Sequence, residues 1–106
     1  MATYEEFRKL ELKVATIKEV YEIEGANKLY RLIIDVGDKT KQIVAGIKQY
    51  YIPQDLVGKQ IVIIDNLEPA IIRGIESQGM LLAASDEQGV CIISPSRLAK
   101  PGVVVK

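Results

Sequence analysis

Apolar and polar residues alternate along the first half of the chain, with the two-residue period of strands that bury one face. The alternation predicts a first strand that begins near Leu10 and a second strand over residues 30–36. After a turn at Gly37, a third strand returns from Lys41. In the first strand the apolar phase shifts by one residue near Thr16, so we expect a β-bulge or a sharp bend there.

Short helices are predicted at two places. Thr3 and Glu6 have the spacing of a capping box, which begins a helix that we expect to end near Arg8. Pro53 suits the first turn of a helix and Gly58 suits its end, so one helical turn is expected between them.

The second half of the chain contains short apolar runs separated by turn residues. Residues 61–64 are continuously apolar, which is typical of a strand buried on both faces, and residues 80–84 and 90–94 form two further runs. Three strands, a short helix and then two or more strands fit an all-β OB-fold, a five-stranded Greek-key barrel, although other small barrels and sandwiches share this order. No repeat or linker divides the chain, so one domain over residues 1–106 is expected.

Histidine is absent and Cys91 is the one cysteine. His-dependent catalytic triads and imidazole metal sites are therefore excluded, and a single thiol forms neither an internal disulfide nor a Cys-rich zinc site. Cys91 lies in an apolar run, for which we expect a buried, unreactive thiol. Since no phosphate-binding loop is present either, we expect a protein that is not an enzyme and that uses no cofactor or metal.

The formal net charge is zero, but the charges are unevenly distributed. Residues 28–48 carry five Lys or Arg and two Asp, whereas residues 5–24 carry four Lys or Arg and six Glu. A local basic face on a neutral protein favours selective docking on a nucleic acid, although an ordinary solvated surface has the same composition. The N-terminus is polar and acidic, unlike a signal peptide, and no apolar run approaches about 20 residues. We expect a cytoplasmic protein with no membrane partner.

Four short motifs follow one another: KLY at 28–30, VAGI at 44–47, NLEP at 66–69 and RGIESQGM at 73–80. In this order and spacing the chain resembles the tRNA-binding domain at the C-terminus of many methionyl-tRNA synthetases, which also occurs as a separate β subunit. Related domains occur in the structure-specific tRNA-binding proteins and in the endothelial-monocyte-activating polypeptide. The resemblance extends over almost the whole chain. It implies an OB-fold that docks on the outer corner of folded tRNA by shape and backbone.

The resemblance also implies which residues face the tRNA. It assigns Lys28, Asn66, Ser77, Gly79 and Met80 to that surface. Their neighbours Leu29, Tyr30, Arg31, Lys41 and Arg73 complete the candidate site. The cationic groups suit phosphates, and a serine hydroxyl suits a phosphate or a ribose 2′-OH.

Several candidates have a structural alternative. The phase of Tyr30 favours the core over stacking on RNA, and Asn66 suits a turn backbone as well as a base edge. Arg31 and Lys41 are expected to form a basic stripe on neighbouring strands, or else to be solvated surface charges. Without the resemblance, Met80 suits the core.

The tail, residues 95–106, extends beyond the basic barrel and ends in an apolar segment at 103–105. On a monomer this segment is an exposed edge or a strand folded onto its own barrel. In the family such an extension forms a homodimer, and we expect a homodimer here.

The chain begins with Met and carries no catalytic domain, so we expect a noncatalytic tRNA-binding subunit rather than an excised fragment. Its partner would be a separate methionyl-tRNA synthetase chain. Where the family often has basic residues after the 66–69 motif, residues 70–72 are apolar, so we expect weak binding that depends on avidity with the catalytic partner. A free-standing tRNA-binding protein or RNA chaperone, and a dimerisation or protein-interaction module, are the alternatives.

Overall fold

The computed structural model describes residues 1–106 and contains two short helices and ten strands. In chain order they are α1 (Tyr4–Arg8), β1 (Leu12–Glu22), β2 (Tyr30–Asp35), β3 (Thr40–Ala45), α2 (Pro53–Leu56), β4 (Gln60–Ile64), β5 (Ala70–Ile72), β6 (Ile75–Ser77), β7 (Met80–Leu81), β8 (Ala83–Asp86), β9 (Gly89–Ile92) and β10 (Val104–Val105). The bounds of α1 and α2 agree with the helices predicted from the capping box and from Pro53.

The long strand β1 organises the main sheet. Its first half pairs with β4 and its second half with β2, both antiparallel. The register with β2 shifts between Ile17 and Glu19, which confirms the irregularity predicted near Thr16. Because a bulge bends and twists the strand, β1 serves both sides of a curled sheet of order β3-β2-β1-β4-β7.

The curled sheet closes where the edge of β3 meets residues 77–78. The Gln42 N–H donates to the side-chain oxygen of Gln78 over 2.9 Å, and the Gln78 N–H donates back to the Gln42 carbonyl over 2.8 Å. The Val44 N–H donates to the Ser77 hydroxyl over 3.0 Å. With these contacts between its two edges, the sheet forms the OB-like all-β fold that the sequence predicts.

Aliphatic side chains fill the interior of the barrel. The large side chains with almost no exposure are Ile17, Leu32, Ile34, Ile43, Ile47, Leu56, Ile61 and Ile63. Burying one such side chain contributes about 1.5–3 kcal/mol. Leu56 comes from α2, which is therefore part of the core, whereas α1 buries no residue.

A second, smaller apolar cluster lies on the outer face of β3. Its buried members are Ile23, Ala26 and Val44, and Ile72 and Ile75 of the β5–β6 hairpin pack against them. Val44 points outward because its neighbours in β3 point into the barrel. This cluster fixes the hairpin against the barrel wall.

The β8–β9 region differs from the sequence prediction. The apolar run 80–84 is not one strand, because β7 pairs with β4 whereas β8 forms a separate hairpin with β9. Cys91 lies on β9 and is exposed, so the expectation of a buried thiol is wrong. The physical reason is that only one face of β9 packs on the core: Val90 and Ile92 lie on that face, so Cys91 between them points outward.

The C-terminal tail is folded onto its own barrel. The buried Gln60 amide donates to the Ala99 carbonyl over 2.6 Å and accepts from the Ala99 N–H over 2.9 Å. Further along, β10 pairs with β1, and the Gly102 N–H donates to the Val14 carbonyl over 2.7 Å. A Cβ at Gly102 would overlap the Val36 carbonyl oxygen, so a side chain at this crossing would collide with backbone.

Helix α1 begins with the predicted capping box. The Glu6 N–H donates to the Thr3 hydroxyl over 3.2 Å, and the Thr3 N–H donates to the Glu6 carboxylate over 3.0 Å. Neither this helix nor α2 has the length and apolar character needed to cross a membrane.

Candidate nucleic-acid interface

The β5–β6 hairpin presents Arg73 at its tip. The two turn residues, Arg73 and Gly74, have φ of 53° and 79°, and positive φ at both positions is what a two-residue type I′ turn requires. Arg73 is the one non-glycine residue of the chain with positive φ, a conformation that costs a side-chain-bearing residue about 1–2 kcal/mol. Backbone strain of this kind at an exposed arginine makes Arg73 a candidate functional residue.

Lys28 and Arg73 line one shallow hollow of about 380 Å³, which we call the cationic concavity, together with the rest of the 25–29 turn. Neither cation takes part in an ion pair of the chain. The turn is held by Lys48, whose ammonium donates to the Ala26 carbonyl over 3.3 Å and lies 2.7 Å from a carboxylate oxygen of Glu22. The concavity therefore presents two positive charges without a counterion, which suits phosphate groups.

An apolar hollow of about 340 Å³, the hairpin cavity, lies between β3, β7 and the β5–β6 hairpin. Leu29, Ile72 and Met80 are among its apolar walls, and Glu68 is its one charged residue. Leu29 lines both hollows, so the cavity and the cationic concavity adjoin. Met80 is 48% exposed and belongs to the surface, where the resemblance places it, and not to the core.

Ser77 and Gly79 shape this cavity from within the fold. The buried Ser77 hydroxyl accepts from the Val44 N–H over 3.0 Å and donates to the Gly79 carbonyl over 3.1 Å, so its donor is already used. A Cβ at Gly79 would lie 3.0 Å from the Ile64 carbonyl oxygen. The absence of a side chain there lets β7 approach β4 closely.

Tyr30 belongs to the core. It is 4% exposed, and its hydroxyl donates to the Tyr51 carbonyl over 2.7 Å. Of its two alternatives the core position is the one found, so the ring is not available for stacking on RNA. Its neighbour Leu29 is half-buried and packs on the second apolar cluster.

The expected basic stripe of Arg31 and Lys41 is not formed. In the register of β2 and β3, Arg31 lies opposite Val44 and Lys41 opposite Ile34, so the two cations point to opposite faces of the sheet. The Lys41 side chain points to the same face as the buried Ile34 and reaches Asp65 at the end of the barrel. Arg31 lies outside, with its guanidinium carbon 4.2 Å from the ring centre of Tyr21.

Lys13 and Lys41 share one carboxylate at the barrel end. Their ammonium groups lie 2.8 and 2.6 Å from the two carboxylate oxygens of Asp65. Burial of Asp65 disfavours its charge, but the two ammonium groups outweigh this and hold the pKa of the carboxyl below its usual range. The contact with Asp65 also raises the pKa of Lys13. Lys41 is thus committed to a structural ion pair.

Asn66 joins two distant segments of the main chain. Its side-chain oxygen accepts from the Glu11 N–H over 2.8 Å, and its amide nitrogen donates to the Lys9 carbonyl over 2.7 Å. The Asn66 side chain therefore hydrogen-bonds to the backbone of the segment that follows α1 and not to the backbone of its own turn. Both the oxygen and the nitrogen of its amide have a partner within the chain.

The structure thus brings four of the ten predicted residues to the two adjoining hollows as exposed or half-exposed groups: Lys28, Leu29, Arg73 and Met80. Sequence reasoning gave no role to Glu68 or Ala70, which line the hairpin cavity. The Arg73-Gly74 turn joins the apolar triplet 70–72 to the mixed triplet 75–77, and Arg-Gly is not one of the pairs favoured in type I′ turns, so the sequence carries only a weak hairpin signal here.

Fold and surface together define a class: a small OB-like binding module with a cationic hollow beside an apolar one on its outer side. The sequence pattern of the tRNA binding domain family matches residues 12–104. The chain belongs to this family of tRNA-binding domains. A methionine–tRNA ligase of Thermococcus kodakarensis is 46% identical over 104 residues, which make up 98% of this chain and 14% of that protein.

Two solved structures are similar to this chain over almost their full lengths. A MetRS related protein from Pyrococcus horikoshii matches with a TM-score of 0.93 and 36% identity, covering 100% of this chain and 98% of that one. The chaperone CsaA from Bacillus anthracis matches with a TM-score of 0.91 and 30% identity, covering 100% of this chain and 99% of that one. The chain is therefore similar to a domain of methionine–tRNA ligases, of which it spans 14% in the relative above, and also to a chaperone of its own size.

Proposed function

We propose that the chain is one noncatalytic tRNA-binding domain that acts in the cytoplasm beside a methionyl-tRNA synthetase catalytic chain. Its task is to raise the local concentration of folded tRNA. The observation that carries the proposal is the cationic concavity, where Lys28 and Arg73 meet without counterions. Membership of the tRNA-binding domain family and the similarity to a part of methionine–tRNA ligases support it.

The two hollows favour folded over single-stranded RNA. No aromatic side chain lines either of them, so the stacking platforms that hold successive single-stranded bases are missing. Phosphate contacts fix position without distinguishing sequence, and few such contacts mean modest affinity. A second contact in a linked partner raises overall affinity by about 10²-fold or more, so weak binding suffices in a complex.

The ten candidate residues have different roles in this proposal. Lys28, Leu29, Arg73 and Met80 contact the tRNA. Ser77 and Gly79 shape the hollow into which Met80 projects. Tyr30, Arg31, Lys41 and Asn66 maintain the barrel that presents the others.

Binding is tested by fluorescence anisotropy with intact folded tRNA, the same tRNA unfolded, and a plain RNA duplex, at two salt concentrations. We expect preference for folded tRNA with little discrimination among tRNA species. Equal binding to all three, or none, would contradict the proposal and favour a protein-interaction module.

We predict that Lys28→Ala weakens tRNA binding and flattens its salt dependence, because one phosphate contact contributes a slope of about 0.7–0.9 in log K against log salt. The unfolding midpoint should stay unchanged, since Lys28 is exposed and unpaired. Lys39→Ala is the matched control: Lys39 is also exposed, and it lies in the β2–β3 turn outside both hollows. Equal losses from the two variants would show general charge attraction without a site.

A protein-binding surface is a second candidate because of one groove, which five apolar and four charged residues line. Tyr4, Phe7 and Leu10, from α1 and the segment after it, face β10 across this groove, and Tyr4 and Val104 are 70% and 63% exposed. We propose that a second copy of the chain covers it, giving a homodimer through the C-terminal extension. The dimer would carry two tRNA-binding faces, so the two candidates are compatible.

A further inference from the structure

The hairpin cavity has properties that phosphate binding alone does not use. Its volume of about 340 Å³ lies at the lower end of the range for ligand pockets, about 300–1,000 Å³. Its walls are mostly apolar, and the exposed thioether of Met80 can adapt to a flat ring. A hollow of this size suits one small planar group and not an extended chain.

The position of the cavity indicates the chemistry of its occupant. Leu29 separates it from the cationic concavity, so an apolar hollow and two unpaired cations, Lys28 and Arg73, lie side by side. A nucleotide has the same two parts, a planar base with apolar faces and an anionic phosphate. An apolar peptide would fill the cavity but leave both cations unpartnered.

Glu68 is the one charged group that lines the cavity, and it is exposed. It takes part in no ion pair of the chain, and its carboxylate accepts hydrogen bonds but donates none. We propose that the hairpin cavity receives one unstacked base of the bound RNA, with N–H groups of its edge on Glu68 and its phosphate at Lys28 and Arg73. Guanine, with adjacent N–H donors on its Watson–Crick edge, fits best. The inference rests on the proposed tRNA binding and adds base insertion to it.

The two methionines of the chain make base insertion directly visible. With ε-¹³C-labelled methionine, Met80 reports from the cavity and Met1 from the N-terminus, outside both hollows. Adding folded tRNA should move the Met80 methyl resonance upfield, because a base ring packed on it exerts a ring current, and should leave Met1 in place. Phosphate contacts alone produce no such shift.

Filling the cavity should block insertion. Ala70 is exposed, lies on β5 and lines the cavity, so Ala70→Phe places a ring where the base would be. We expect about tenfold weaker tRNA binding and loss of the Met80 shift, since the phenyl ring occupies the space that the base would fill. Ala83→Phe, on the exposed strand β8, is the matched control and should change neither.

The Glu68→Gln variant tests the proposal by whether tRNA binding becomes stronger or weaker. Removing a negative charge beside the cationic concavity should strengthen binding to a polyanion if only long-range electrostatics matter. If Glu68 accepts N–H groups from a base, the substitution weakens binding severalfold despite the charge change. Glu87→Gln, in the exposed loop between β8 and β9, controls for net charge.

The outcomes separate the two claims. Tight tRNA binding without a Met80 shift, or a strengthened Glu68→Gln variant, would overturn base insertion and leave tRNA binding intact. Absence of tRNA binding would overturn both. A Met80 shift with an apolar peptide but none with tRNA would assign the cavity to a protein ligand and also overturn the proposal.

Discussion

Individual cations of this chain differ by whether the fold supplies their counterion. Lys13 and Lys41 are held by Asp65, whereas Lys28 and Arg73 have no partner. A desolvated, paired cation maintains the fold, and an unpaired one at the rim of a hollow is available to a ligand. This distinction yields separate predictions for stability and for binding.

We predict that Arg73→Asn uncouples the two properties. Asparagine tolerates positive φ better than arginine, and Asn-Gly is the preferred pair in type I′ turns, so the free energy of unfolding should stay the same or rise slightly. Binding to tRNA should fall because the guanidinium is lost. Urea unfolding and anisotropy measure the two quantities, and a loss of stability with unchanged binding would show that Arg73 serves the hairpin alone.

We predict that Asp65→Asn costs about 1–3 kcal/mol, because two clustered ammonium groups lose their counterion. The folded-state pKa of Asp65 is lowered, so its contribution is full above the unfolded pKa of about 3.9 and is lost as pH falls through the folded value. The wild-type free energy of unfolding should therefore fall more steeply below about pH 4 than that of the variant. Parallel pH curves would show that the ion pairs do not stabilise the fold.

Residue roles were predictable from the sequence where they depend on local phase. Tyr30 was correctly favoured for the core because it shares the phase of its strand. Lys41 shares the phase of Ile43, yet its charge suggested the outer face, since its counterion becomes visible only in the folded chain. Asn66 has its first partner 55 residues away, and local sequence holds no trace of such a contact.

At the scale of elements, the tail depends on a crossing of two backbones. Gly102 has φ of 89° and meets the Val36 carbonyl, so its substitution affects the attachment of β10. The strands with long alternation, β1 to β3, could be predicted from sequence because one buried face fixes their period. The three-residue strands β5 and β6 could not, since two or three residues define no period.

We predict that Gly102→Ala destabilises the chain by about 2 kcal/mol or more, through positive φ and overlap with backbone. Amide exchange at Val14, whose N–H donates to the Val103 carbonyl, should accelerate as β10 detaches. Gly58→Ala is the control, because Gly58 has the same φ of 89° with nothing within 4 Å of its Cβ. Equal effects would mean that dihedral strain alone is responsible.

For the whole molecule, zero net charge and a local cationic concavity give attraction only in the correct orientation. The groove between α1 and β10 is the other large-scale feature, because exposed apolar side chains next to a free strand edge favour association. The two surfaces share no residue, so association and tRNA binding can be altered separately.

We predict that the chain sediments as a dimer and that Val104→Lys sediments as a monomer, because a lysine blocks an edge strand. Val57→Lys is the control: Val57 is 54% exposed and lies after α2, away from the groove. A monomeric wild type would remove the homodimer, and a dimeric Val104→Lys variant would place the interface elsewhere.

Both ends of the polypeptide come to one place on the surface. Tyr4 and Lys106 line the same groove, since the capping of α1 and the attachment of β10 bring the first and last segments together. A chain whose ends meet can be circularly permuted, or spliced into a loop of an unrelated host, with little disturbance of its interior. A short peptide could therefore join residues 1 and 106, and new ends could be opened in the exposed loop between β8 and β9, without touching either hollow.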